Sequence, residues 1–116
     1  MFFSCMVQEG QTSPEQRARL EQELEDIAVR VMSVQPGASK FNCVEVKSGF
    51  GFTEAKPSTS SLALAIVPDG TAQTTRLQLL QSICDAWMSV TNCSINEIVA
   101  TAADASSIPR DLTGRN

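Results

Sequence analysis

The spacing of apolar residues changes period along the chain, and it does so twice in the same order. Phe2-Phe3-Ser4-Cys5-Met6-Val7 is apolar without strict alternation and ends at a Glu9-Gly10 turn, which predicts a strand buried on both faces. Ser13-Pro14-Glu15-Gln16 then carries a capping box with proline at the first helical position, and Leu20, Leu24, Ile27, Val31 and Val34 follow at steps of four, three, four and three. These residues draw one stripe of a helix lying on a sheet, with Arg17, Glu21 and Glu25 on its solvated side. Past Gln35-Pro36-Gly37, alternation over Phe41 to Val46 predicts a half-buried strand, and Gly49-Phe50-Gly51-Phe52 a turn.

The second half repeats the order. After the polar connector Pro57-Ser58-Thr59-Ser60, an uninterrupted apolar run from Leu62 to Val67 closes at Pro68-Asp69-Gly70. Thr74 to Val90 places Leu77, Leu80, Ile83, Cys84, Trp87 and Met88 at helical spacing; Asn92 to Asn96 turns into a strand from Glu97 to about Ala102, and a polar tail follows. At a shift of sixty residues Glu9-Gly10-Gln11 falls on Asp69-Gly70-Thr71, and Leu20, Leu24 and Ile27 fall on Leu80, Cys84 and Trp87. Two fused βαβ units in one domain are therefore expected, an α/β (α+β) fold with a four-stranded mixed sheet and both helices on one face. The units span 1–56, including a glycine hairpin, and 57–104, with a tail over 105–116. The helices cover one sheet face, so apolar residues on the other predict association with further copies.

Composition narrows the chemistry. With 116 residues, 42% of them hydrophobic, the chain can bury a core without staples, and a net charge of −4 argues against a nucleic-acid partner. There is no histidine and no tyrosine, which excludes His-dependent nucleophiles, imidazole acid-base groups and ordinary His-bearing zinc sites. Proton transfer must use a carboxylate, a lysine, a cysteine or the terminal amine. Cys5, Cys43, Cys84 and Cys93 show no C-x-x-C spacing and are expected as buried, inert thiols in a reducing compartment. The short opening apolar run predicts neither a signal peptide nor a membrane span, hence a cytoplasmic protein with no membrane partner; no metal or cofactor is expected.

The opening strand followed by Glu9-Gly10-Gln11-Thr12-Ser13-Pro14-Glu15-Gln16-Arg17, its echo at Val67-Pro68-Asp69-Gly70 and the Gly49 to Phe52 hairpin resemble the tautomerase superfamily. Within it the chain is most similar to the fused members of the 4-oxalocrotonate tautomerase, cis-3-chloroacrylic acid dehalogenase and malonate semialdehyde decarboxylase group. The resemblance spans nearly the whole chain. It implies a homotrimer with sheets facing a central channel, and chemistry at an amino-terminal proline.

Counting back from the turns puts Met1 on that proline position in the first unit and Ser61 in the second. The bulky Phe2 suggests that Met1 is retained, so a primary amine would stand where the family has a secondary one. Sheltered among apolar side chains, such an amine can act as base or form a Schiff base with a small carbonyl compound or 2-oxo acid. Where the resemblance implies an arginine after the turn, the chain has Gln11 and Thr71; inside the second strands it has Glu45 and Val99; at a dehalogenase-like histidine position it has Ala28. Asp104 loosely matches a water-activating acid. Lys40, Lys47, Lys56, Arg76 and Arg110 remain as anion contacts. Of these Lys47, with Phe50 as an apolar wall, is expected to reach the amine of a neighbouring chain. The candidate site is therefore Met1 as catalytic group with Gln11, Lys47, Phe50 and Thr71 around the substrate. A non-catalytic trimer binding a ligand or protein through its hairpin and tail is the competing reading, and thiol chemistry at Cys93 a weaker third.

Overall fold

A computed structural model describes residues 1–53 and 55–108. The elements run β1 (Phe2–Gln8), α1 (Pro14–Met32), β2 (Lys40–Val46), β3 (Phe52–Thr53), β4 (Lys56–Pro57), β5 (Ser61–Val67), α2 (Gln73–Thr91) and β6 (Ile98–Asp104), with 3-10 turns at Ile95–Glu97 and Ala105–Ser107. The four long strands form one mixed sheet in the order β2-β1-β5-β6, and β3 and β4 make a separate small hairpin. β1 runs parallel to β2, β5 parallel to β6, and β1 antiparallel to β5.

The α1 N-terminus forms as its sequence dictates. The Ser13 hydroxyl accepts from the Gln16 N–H at 3.1 Å while the Gln16 side chain accepts from the Ser13 N–H at 2.9 Å, and Pro14 opens the helix. At their C-termini both helices stop on a left-handed residue, Ser33 and Asn92. Leu20, Leu24 and Ile27 of α1 join Leu79, Ile83 and Trp87 of α2 over Phe3, Val7 and Val67 to make a single core shared by both units. Phe3 stacks on Phe41 with ring centroids 5.5 Å apart, fastening β1 to β2.

The duplication is visible in the seam. Adding sixty to Phe3, Ser4 and Cys5 gives Ala63, Leu64 and Ala65; the seam pairs Phe3 with Ala65, Ser4 with Leu64 and Cys5 with Ala63. A pseudo-twofold axis therefore passes between Ser4 and Leu64. Beyond the turns the shift becomes fifty-nine, because Pro14 to Met32 corresponds to Gln73 to Thr91. Three residues separate Gly10 from α1, but only two separate Gly70 from α2. This corrects the expected α2 stripe. Its buried residues are Leu79, Ile83, Ala86, Trp87 and Val90, one step back from Leu80 and Cys84, and Leu77 is exposed.

Other expectations change for reasons of layer geometry. Within one chain β1 is covered on one face only: alternate residues of β1 and β5 point away from the helices, leaving Met6 40% and Leu62 46% exposed on the open sheet face expected to meet further copies. Glu97 belongs to the turn before β6 rather than to the strand, which continues to Asp104. Cys5 is buried, but Cys43 lies on the edge strand β2 and is exposed, so the thiols do not share one inert environment. Arg17 and Glu25 are engaged rather than solvated: Arg17 pairs with Glu45 at 3.4 Å, and the Glu25 carboxylate accepts from the Gly37 N–H. No described helix is long and apolar enough to cross a membrane.

Candidate functional site

Because β1 and β5 run antiparallel, the start of one strand of the seam lies beside the end of the other. Two pseudo-equivalent hollows result, one at each end. At the first, Met1, Phe2, Lys40, Ile66, Val67 and Pro68 line a cavity of about 520 Å³. Met1 is anchored there, its carbonyl accepting from the Lys40 N–H at 2.8 Å, because the parallel register sets β2 to start next to β1. Lys40 is the charged side chain among the lining residues; the others are apolar.

The opposite hollow is smaller and polar, about 210 Å³ lined by Gln11, Thr59, Ser61, Thr91, Cys93 and Glu97 among others. The Glu97 carboxyl is held below its ordinary range, first by the Ser94 backbone N–H and then by the side chains of Thr59 and Ser94. Position for position, Ser61 answers to Met1, Val99 to Lys40 and Cys93 to Val34. The two residues on the proline position thus fall one in each hollow, in opposite chemical surroundings.

Within one chain the expected site residues are divided between the two ends. Met1 lines the apolar cavity; Gln11 lines the polar one. Thr71 stands at the Met1 end but turns inward, its hydroxyl donating to the Pro68 carbonyl at 2.7 Å and its own carbonyl accepting from Arg76 Nε at 3.0 Å. Lys47 follows the far end of β2, roughly 20 Å from Met1 on about 3.3 Å per strand residue. Phe50 beside it is 78% exposed. Their meeting with Met1 would require a second protomer.

Lys40 is the residue the sequence undervalued. Its signal was the parallel pairing itself, since a residue opening β2 must lie beside the start of β1. Arg76 is taken out of consideration as an anion contact, because it ion-pairs with Asp104 and its side chain is only 18% exposed. The same bond occupies Asp104. The Asp69 carboxyl is lowered by hydrogen bonds from Ser106, whose N–H lies 3.1 Å away, and this ties the turn after β5 to the segment after β6. Arg110 and the tail from residue 109 lie outside the described residues.

No family model matches the chain, and none of the curated proteins searched matches it. Solved structures do. The structure of native Ps01740 is 25% identical with a TM-score of 0.86, covering 94% of this chain and 99% of that one. N1, a member of the cis-3-chloroacrylic acid dehalogenase family, superposes at a TM-score of 0.84 with 11% identity, over 98% of this chain and 96% of its own. A fused 4-OT symmetric trimer gives 0.82 with 13% identity, over 95% of this chain and 87% of its own. The fold is that of the tautomerase superfamily. The Met1 cavity and the Ser61 hollow stand at pseudo-symmetric ends of this fold.

Proposed function

We propose that this tautomerase-fold protein acts on a small carbonyl compound or 2-oxo acid at the Met1 cavity. The observation that carries the reading is the convergence of Met1 and Lys40 on one otherwise apolar hollow. The Met1 amine in its neutral form takes a proton from the enol or from the carbon next to the carbonyl and returns it across the conjugated system. Alternatively it adds to the carbonyl carbon, with loss of water, to give a Schiff base. Lys40 supplies a positive charge to a substrate carboxylate or developing enolate, and the apolar walls exclude water from it. No metal or cofactor takes part in this scheme.

The homotrimer belongs to the same proposal. Met6, Val44, Leu62 and Val99 leave an apolar patch on the sheet face away from the helices, and the trimeric fused 4-OT relatives support its burial between protomers. In such an assembly Lys47, Phe50 and Gln11 of a neighbour would complete the cavity, with Thr71 of the same chain shaping the turn at its rim. Four free cysteines suit a reducing, cytoplasmic setting.

The reading is tested by incubating the protein with a 2-oxo acid and borohydride, and by following ketonisation of phenylenolpyruvate. A reduced adduct mapping to residue 1, or turnover abolished by acetylating that residue, is expected, and intact mass spectrometry must show Met1 as the first residue. Absence of both adduct and turnover leaves the second reading, a non-catalytic trimer that binds through its hairpin. That reading is favoured by the exposed Phe50 and Phe52.

A further inference from the structure

The polar hollow at the Ser61 end holds hydroxyls that nothing in the chain satisfies. Thr12 and Ser61 are the buried polar residues among those described, 5% and 6% exposed, and both line this hollow of about 210 Å³. Neither hydroxyl has a hydrogen-bond partner among the described residues, and neither is walled off from the open space, so both face it. Other threonines at the turns and helix ends are satisfied within the chain. Thr91 donates to the Trp87 carbonyl at 2.7 Å and accepts from the Cys93 N–H at 3.3 Å, and Thr71, in the shorter turn of the second unit, donates to the Pro68 carbonyl at 2.7 Å. A hydroxyl withdrawn from bulk solvent and left without a partner costs free energy. Two on one hollow are met from outside the chain, by water until a ligand with matching groups displaces it.

Charge decides which ligand fits. Glu97 lines the same hollow and no lysine or arginine does. The hydrogen bonds from Ser94 and Thr59 that lower its pKa also keep it ionised. A carboxylate offers about four lone-pair sites, so these contacts leave acceptor capacity for a ligand. An anion would be repelled, and a neutral hydroxyl compound would gain less from the carboxylate than a cation carrying N–H donors. We propose that this hollow binds a small primary ammonium compound bearing a hydroxyl, its N–H groups donating to Glu97 and its hydroxyl meeting Ser61 and Thr12. The volume lies below the ordinary range for drug-sized ligands and limits the occupant to a few heavy atoms. The opposite end has the reverse character, with Met1 in place of Ser61 and Lys40 among its lining residues. Thr12, Ser61 and Glu97 do not line that cavity, so the proposal stands apart from any activity there.

In ¹H–¹⁵N spectra of the full chain near neutral pH, titration with ethanolamine is expected to give a saturable shift of the Ser61, Cys93 and Glu97 amide resonances. Glycolate, similar in size but opposite in charge, should give none. Ethylene glycol, which keeps two hydroxyls and lacks the charge, should bind about tenfold more weakly or worse. Glu97→Gln should weaken ethanolamine about tenfold and Ser61→Ala about threefold. Asp85→Asn, which removes the same charge from the exposed side of α2, should leave the binding as it is. The proposal is overturned if those resonances show no saturable shift up to about 100 mM ethanolamine, far above a millimolar Kd. It is equally overturned if glycolate or ethylene glycol binds as tightly, if Glu97→Gln or Ser61→Ala binds ethanolamine like the parent, or if Asp85→Asn weakens it as much as Glu97→Gln. Should a variant fail to fold, the three titrations of the parent decide alone.

Discussion

The two ends of the β1–β5 seam share a backbone plan and differ in nearly every side chain that a ligand would meet. Met1, Lys40 and Val34 at one end stand where Ser61, Val99 and Cys93 stand at the other. By contrast, one ion pair is repeated. Each unit has an arginine in the first turn of its helix paired to an acid at the end of its second strand, Arg17 to Glu45 and Arg76 to Asp104. The core that both units close is shared rather than repeated, Phe3 answering to Ala63 and Ala28 to Trp87. The hollows lie at the ends of that core.

The strongest way to break the comparison is to ask whether the halves are energetically one body. Trp87→Ala removes the largest fully buried side chain and should cost about 3–5 kcal/mol in urea unfolding, with fluorescence-independent probes in both halves reporting one coincident transition. Two separate transitions would mean that the halves do not share their core. Next comes Lys40→Val, which gives the Met1 end the residue of the other end. We expect KM for a 2-oxo acid to rise about tenfold with little change in stability, as befits loss of one charge-assisted contact. An unchanged KM would erase the assigned difference between the two hollows.

The ion pairs sharpen the comparison at smaller scale. Arg76 is 18% exposed at its side chain against 34% for Arg17, so Asp104→Asn should cost about 1–2 kcal/mol and Glu45→Gln about 0.5 or less in thermal unfolding. Equal losses would show that burial does not separate the units. The smallest effect concerns acid. Because hydrogen bonds lower the folded-state pKa of Glu97, the stability it contributes is complete above its ordinary value of 4.5 and is lost as pH falls through the lowered value. Glu97→Gln should therefore flatten the acid limb of the urea midpoint below about pH 4.5 and leave the plateau shape near neutrality unchanged. An acid limb with the same slope in this variant would remove Glu97 from the polar end's account.

Much of the architecture could be read along the chain because the periods are strong and the punctuation is clear. Ser13, Pro14 and Gln16 mark the start of α1, and the paired Glu9-Gly10 and Asp69-Gly70 turns mark the duplication. The phase of α2 could not be read. Leu77, Leu79 and Leu80 allow two stripes, and a turn shorter by one residue selects the one through Leu79. The open apolar face bearing Met6 and Leu62 was legible from the helix count, although the strands alone read as doubly buried whether the second face meets helices or a further copy. Lys40 was legible as a cation but not as a neighbour of Met1, since that proximity exists only through strand register.

The symmetric seam also means that the junction between halves is built from backbone pairing that two separate polypeptides could make equally well. A chain cut in the connector at residues 58–60 should yield fragments that find each other and reassemble. The same property makes the intact protein a natural host for circular permutation, and for exchange of halves between molecules whenever that connector is shortened.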